Sequence, residues 1–250
     1  VAEFLNSIRI RYQPVVRLDN LQPVAVEVLV RTIEPDGQLT GPEAVVKAMS
    51  GTEESMSLTR MIIQLAIDEY LEHGFQNLGL IFGFNLPLDA MLHPNLVSII
   101  ESIRTKALLP ASTFGFELTE RHPVHDIASA NAVITVLRQA GYFVSLDDIT
   151  PDMTNLDALM RMPIGAVKFD YSITNSKRPA DLDFIRRIVA EAETNKLIVV
   201  AEGIETQATL QKIRRLGVTY GQGFLFAHPL KAADLKPFLS GWENREPALT

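Results

Sequence analysis

A polar residue stands at or near the end of one short apolar run after another along this chain. Glu27 follows VAV, Asn85 follows LIFGF, Glu117 follows TFGF, and the pair Asp147-Asp148 follows YFVSL. Further on, Lys168 follows IGAV, Glu202 follows LIVVA and Gln222 follows VTYG. Helix-like stretches separate most of these runs, so the chain reads as repeating strand–helix units. Parallel strands closed into a barrel bring their ends together on one face. Five carboxylates, an amide pair and a lysine then share one pocket, and such a donor set suits metal ions.

The periodicity supports that topology. Two early strands, over Ile8–Leu18 and Pro23–Thr32, flank the polar turn DNLQ and predict an antiparallel hairpin. Helical stripes follow at Leu58, Met61, Ile62 and Leu65, and at Leu96, Ile99, Ile100 and Ile103. Ile127, Ala130, Val133, Ile134 and Leu137 repeat the pattern up to Gly141, a plausible helix stop. Ile185, Ile188, Val189 and Ala192 form another stripe, and Leu210 and Ile213 the last, ending near Gly217. Strands are expected between them near 79–85, 113–118, 142–147, 164–169, 197–201 and 218–221. With the hairpin these make eight. An open doubly wound sheet gathers its ligand groups at one switch point, whereas here nearly every strand end is polar. The expected fold is therefore a TIM-like (β/α)8 barrel whose first hairpin is irregular and antiparallel.

Composition fits one such domain. The chain has 250 residues, 47% of them hydrophobic, and α/β barrels run to roughly 250 residues as a unit. A single domain over 1–250 is expected, with its core at about 8–240. The absence of cysteine excludes a disulfide framework and any thiolate metal site. It suits a cytoplasmic protein, or the cytoplasmic part of a membrane-anchored one. No apolar stretch approaches the roughly 20 residues of a membrane span, and no signal peptide opens the chain. The opening valine suggests a piece of a longer multidomain protein. A net charge of −7 argues against bulk nucleic acid. It leaves room for a small phosphorylated ligand, because divalent cations invert the charge of an acidic pocket.

Asp147-Asp148 is the sharpest local signal. Adjacent carboxylates can reach two ions, and two divalent ions roughly 3.5–4 Å apart activate water and neutralise charge developing on phosphorus. The competing reading is a capped turn, since Asp at a strand end often begins the next segment. Glu27 and Glu117 sit inside apolar strands, where a carboxylate is costly to bury unless paired or metal-bound. Either alone could face solvent, but Asn85, Asp147 and Glu202 in equivalent positions weaken that alternative. Hard oxygen ligands suit Mg2+ or Mn2+ rather than zinc. Lys168, close to Asp170, can orient water, hold a phosphate or pair with a carboxylate, the last being the commonest fate. His122 and His125 lie in a Pro-containing turn without an HExxH helix and read as a solvated loop. No Ser/His/Asp order, Gly-rich phosphate loop or nucleotide fingerprint is present.

The motifs YQPVV, EVLVR, FNL, FELTE, LDD, VKFD, AEGIET and GQGFLF stand in order from Tyr12-Gln13-Pro14 to Pro229. This set resembles the EAL domains, which bind and hydrolyse the bacterial second messenger cyclic di-GMP. The name-giving tripeptide reads Glu27-Val28-Leu29, with Val where Ala is usual. The resemblance implies a phosphodiesterase that opens cyclic di-GMP to linear pGpG with two Mg2+ or Mn2+ ions. It implies Glu27, Asn85, Glu117 and Asp147 as ligands of one ion, and Asp147 with Asp148 as ligands of the second. Lys168 and Glu202 match groups that position or deprotonate the attacking water, and Gln222 a ligand or water contact at the same centre. Gln13, Leu29, Arg31 and Asp170 match contacts to the cyclic dinucleotide. Glu120 matches the residue that anchors the loop after the Asp pair. A homodimer and an upstream sensory or GGDEF-type domain are implied as well.

That loop departs from the family pattern. The usual DDFGTGYSSL is replaced by DDITPDMTNL, from Asp147 to Leu156. Thr150 and Asp152 stand where glycines are usual, and Pro151 fixes a φ angle, so the loop path is expected to differ. The alternative function is accordingly a weak or inactive cyclic di-GMP receptor that signals through a partner. A third reading, an acidic α/β-barrel enzyme of the enolate type, finds no matching motif set.

Overall fold

Alternation in IRIRYQ opens β1 (Ile8–Arg17), and the apolar run PVAVEVLVRTI makes β2 (Pro23–Ile33); the two pair antiparallel, with Gln13 opposite Glu27. The structure, a computed structural model, describes residues 7–34, 36–48, 51–119 and 127–242. A two-residue strand, β3 (Leu39–Thr40), adds to the outer end of β2. The chain then lays down β4 (Ile81–Pro87), β5 (Phe114–Thr119), β6 (Phe143–Ile149), β7 (Ala166–Phe169), β8 (Ile198–Ala201) and β9 (Tyr220–Gly221). β4 pairs parallel with β2, each later strand pairs parallel with the one before it, and β9 closes antiparallel on β1. The result is the expected eight-stranded barrel, with β1 as its antiparallel member.

The described helices are α1 (Glu43–Ala48), α2 (Thr52–Glu72), α3 (Leu88–Met91), α4 (Leu96–Lys106), α5 (Ile127–Gln139), α6 (Leu156–Met160), α7 (Tyr171–Asn175), α8 (Pro179–Asn195), α9 (Gln207–Arg215) and α10 (Ala232–Trp242). Among the described residues no helix is long and apolar enough to cross a membrane. Helices pack on outward strand residues such as Tyr12, Val26, Phe82, Phe116, Val144, Phe169 and Val199, all buried. Tyr12 shows the pattern: its hydroxyl donates to Glu69 of α2 at 2.9 Å, and its ring meets Phe75 and Phe82 edge-on.

Side chains alternate faces along a strand, so the polar residues at the strand ends point inward together. Two residues earlier on the same inward face stand Ala25, Gly83, Gly115, Ser145, Ala166, Val200 and Tyr220, with Val15 two residues after Gln13 on antiparallel β1. These eight help line an apolar cavity of about 240 Å3 that Glu117 and Lys168 also border. The small residues among them, Ala25, Gly83, Gly115, Ser145 and Ala166, make room for the longer groups above. A β-carbon at Gly83 would lie 2.3 Å from Glu117 Oε1.

The loop after the Asp pair takes a path that needs no glycine. Positive φ occurs at Asp148 (+51°) and Asn155 (+59°), and at neither Thr150 nor Asp152. Asp and Asn tolerate the left-handed region better than most residues. A turn closed by Met153 N–H donating to Thr150 O (3.2 Å) lies between them.

Candidate active site

A cleft of about 420 Å3 is lined by Gln13, Glu27, Leu29, Arg31, Asn85, Asp147, Asp148, Glu202 and Gln222 among the sequence-predicted residues. Between Leu146 and Ile149, β6 carries one residue more than β7 does between Val167 and Phe169. This bulge, with Asp148 in the left-handed region, lets consecutive carboxylates face one cleft.

Glu117 and Lys168 are not in the cleft wall but join the buried cluster next to it. Lys168 Nζ lies 2.5 Å from both Glu117 Oε2 and Glu202 Oε1, 3.0 Å from Asp147 Oδ1 and 3.9 Å from Glu27 Oε2. The pairing expected as a lysine's commonest fate is therefore present, at the centre of the site. Two amides orient Glu27: Asn85 Nδ2 donates to Oε1 at 2.8 Å and Gln222 Nε2 to Oε2 at 2.6 Å. Gln222 Nε2 also donates to Glu202 Oε1 at 3.0 Å. Gln13 donates to Ala227 O at 3.2 Å.

Asp170 does not line the cleft; it caps α7, its Oδ1 accepting from Ser172 N–H at 2.8 Å. Glu120, the expected loop anchor, lies outside the described residues, as do His122 and His125. The structure adds cleft residues that the motifs did not single out: Val45, Ile62, Tyr171, Glu205 and Phe224. Tyr171 follows VKFD and Phe224 lies inside GQGFLF, so position beside a motif was the available signal. Exposure, which turns an aromatic into a contact surface, is not written in the string.

Burial sets the electrostatics. It pushes Glu117 up to about 8 despite the nearby Lys168 ammonium, with Glu27 and Asp147 adding repulsion. Asp148 is pushed up to about 6 by burial and by Asp147 and Asp170. Burial also raises Asp147 and raises Glu202 well above the usual carboxylate range. Glu27 moves the other way: the charge of Lys168 and the two amide hydrogen bonds outweigh its burial. Lys168 stays protonated because its four carboxylate neighbours outweigh its own desolvation.

One ammonium faces five carboxylates, and the chemistry of this donor set fits divalent cations. Asp147, Asp148 and Glu202 present oxygens all within 4.8 Å of one another, a group able to hold a metal ion. With its nitrogen turned to the carboxylates, Gln222 leaves a buried Oε1 with no hydrogen-bond partner among the described residues. Asp147 Oδ1 has no aligned hydrogen bond either, although Lys168 lies within ion-pair distance.

The family pattern of the EAL domain matches residues 4–229. The probable cyclic di-GMP phosphodiesterase PdeB of Escherichia coli (strain K12) is 28% identical over 228 residues, covering 91% of this chain and 44% of PdeB. The cyclic di-GMP phosphodiesterase NbdA of Pseudomonas aeruginosa is 28% identical over 242 residues, 95% of this chain and 31% of NbdA. The chain thus spans less than half the length of either relative. Among solved structures, the PaMucR phosphodiesterase in its c-di-GMP complex superposes with a TM-score of 0.84 at 26% identity, covering 92% of this chain and 94% of that one. With nearly the whole barrel matched and the acidic strand ends assembled around one cleft, the chain belongs to the EAL domain family.

Proposed function

We propose that this chain is a divalent-metal-dependent phosphodiesterase that hydrolyses cyclic di-GMP to linear pGpG. One observation carries the reading: acidic and amide side chains at the ends of seven barrel strands gather in a single cleft and in the buried cluster around Lys168 next to it. PdeB and NbdA, which bear the name of this activity, and the PaMucR complex support the substrate.

Glu27, Asn85, Glu117, Asp147 and Asp148 would hold Mg2+ or Mn2+, and Gln222 Oε1, buried without a hydrogen-bond partner among the described residues, would be a further oxygen donor. Held there, two such ions would supply a nucleophilic water and offset the charge developing on the phosphorus. In hydrolysis the water oxygen bonds to phosphorus and the P–O3′ bond breaks, leaving a 5′-phosphate and a 3′-hydroxyl. Glu202, raised by burial and held by Lys168 and Gln222, would take the water's proton. Lys168 fixes the directions of Glu117, Glu202 and Asp147. Arg31 offers the cleft a guanidinium suited to phosphate oxygens, and Gln13 and Leu29 supply further contacts.

The altered loop favours the second reading, a receptor with little or no turnover. Incubating the purified chain with cyclic di-GMP and Mg2+ or Mn2+, then separating the products, distinguishes them. Formation of pGpG that excess EDTA abolishes is the expected result. Tight binding without product favours the receptor. Hydrolysis undiminished by EDTA overturns the metal-dependent mechanism.

A further inference from the structure

Tyr171 performs no role in the chemistry above, yet it stands in the wall of the cleft beside Asp148, Glu202 and Gly203. It is the first residue of α7, directly after the capping Asp170. Half of it is exposed (50%), although one side of the ring has a rigid backing. That backing is Gly203, at φ +66°, where a β-carbon would come within 2.1 Å of Tyr171 Cδ2. The ring therefore lies against the glycine, and any larger residue at 203 would displace it.

Asn175 locks the arrangement from behind. Its Nδ2 donates both to Tyr171 O (3.1 Å) and to Gly203 O (2.9 Å), and its Oδ1 accepts from Thr209 Oγ1 at 3.2 Å. The loop that carries Glu202 and the helix that carries Tyr171 are thus tied together. A ring backed on one face and open on the other is a preformed stacking shelf. The cleft has a second half-exposed aromatic, Phe224, whose ring is backed by His228 at a centroid distance of 4.2 Å. Two backed aromatic rings beside a phosphodiester-cleaving centre match a ligand that carries two flat bases.

We infer that Tyr171 is a base-stacking residue that holds one purine of the dinucleotide against the shelf formed with Gly203. This rests on the cyclic dinucleotide reading above. A purine covers the shelf more fully than a pyrimidine, so Tyr171 contributes selectivity between bases as well as affinity. The phenol hydroxyl has no part in the contact.

Equilibrium titration of the Ca2+-loaded chain with cyclic di-GMP and with cyclic di-UMP tests this, for the wild type, Tyr171→Ala, Tyr171→Phe and Tyr171→Trp. Losing a base–aromatic stack weakens binding by about 5- to 150-fold, and that loss is expected for Tyr171→Ala with cyclic di-GMP. Its preference for the purine dinucleotide should narrow, while the melting temperature stays at the wild-type value. Tyr171→Phe and Tyr171→Trp should bind like the wild type. Unchanged affinity in Tyr171→Ala, or a Tyr171→Phe variant as weak as Tyr171→Ala, overturns the stacking role and leaves the phosphodiesterase reading intact. A wild-type chain that binds neither dinucleotide overturns that reading and this inference with it.

Discussion

Asp147 and Asp148 are adjacent in sequence, yet both carboxylates line the same cleft. In a regular strand they would point to opposite faces. The extra residue in β6 and the left-handed backbone of Asp148 (φ +51°) bring them together. Asn accepts that backbone and Ala does not, at a cost of roughly 1–2 kcal/mol. Asp148→Asn should therefore melt no lower than the wild type, while Asp148→Ala melts below Asp148→Asn. Both should lose hydrolysis, having lost a ligand of the second ion. Thermal melts without metal and product assays with Mg2+ separate backbone from ligand effects. A near-wild-type rate in Asp148→Asn would remove this residue from the metal site.

Lys168 Nζ and Glu117 Oε2 are 2.5 Å apart, and both groups are buried. Removing one partner of a buried pair typically costs about 3–5 kcal/mol; here protonation of the abandoned carboxylates softens the loss. Lys168→Ala should melt lower than the wild type without metal, regain stability in Mg2+ or Mn2+, and lose most turnover. Glu27→Ala and Asp147→Ala should abolish hydrolysis by weakening ion binding, which calorimetric titration reads directly. A Lys168→Ala variant with wild-type turnover contradicts the assigned role.

The barrel was legible because its strands are short apolar runs that end on polar groups and alternate with helical stripes. Glu27, Asn85, Asp147, Glu202 and Gln222 meet in space because those ends meet. Short elements were not legible: α3, α6 and α7 are four or five residues long, too brief to show a 3.6-residue period. Nothing in YFVSLDDIT marks the bulge, since it depends on how β6 pairs with β7. The spacing of Gly83 before Asn85 and of Ala166 before Lys168 was in view. Its meaning appears only where Glu117 Oε1 would touch a β-carbon on Gly83. Asp170 matched a ligand-contact motif, but its local use as a helix cap depends on the chain turning into α7 at that point.

Stability and metal affinity should depend on pH in opposite senses. Asp148 and Glu117 are raised by burial from 3.8 to about 6 and from 4.5 to about 8. Each keeps its proton longer folded than unfolded, so without metal their contribution to stability falls as pH rises from about 4 to about 8. Divalent ions need the ionised carboxylates, so binding releases those protons and tightens over the same range. The rise in melting temperature produced by Mg2+ should be small near pH 5 and grow toward pH 8, with EDTA as reference. A rise independent of pH would place the ions away from Asp148 and Glu117.

The segment Ile149–Asn155 reaches α6 without either family glycine, its left-handed positions being Asp148 and Asn155. Thr150 and Asp152 have no positive φ, so the native loop needs no glycine there and gains stiffness from Pro151. Replacing ITPDMTN with FGTGYSS after Asp148 should lower thermal stability, because the two glycines loosen the unfolded chain. Asp148 opens the loop, so the loop's path bears on the position of the second-ion ligand at the transition state. The swap should raise kcat more than it changes the dissociation constant for cyclic di-GMP, the pattern of an altered transition-state contact. Both constants are to be measured for the two versions at saturating Mg2+. A native loop with full activity and no response to the swap makes the departure neutral and strengthens the phosphodiesterase reading. Binding without turnover in both versions leaves the receptor reading in its place.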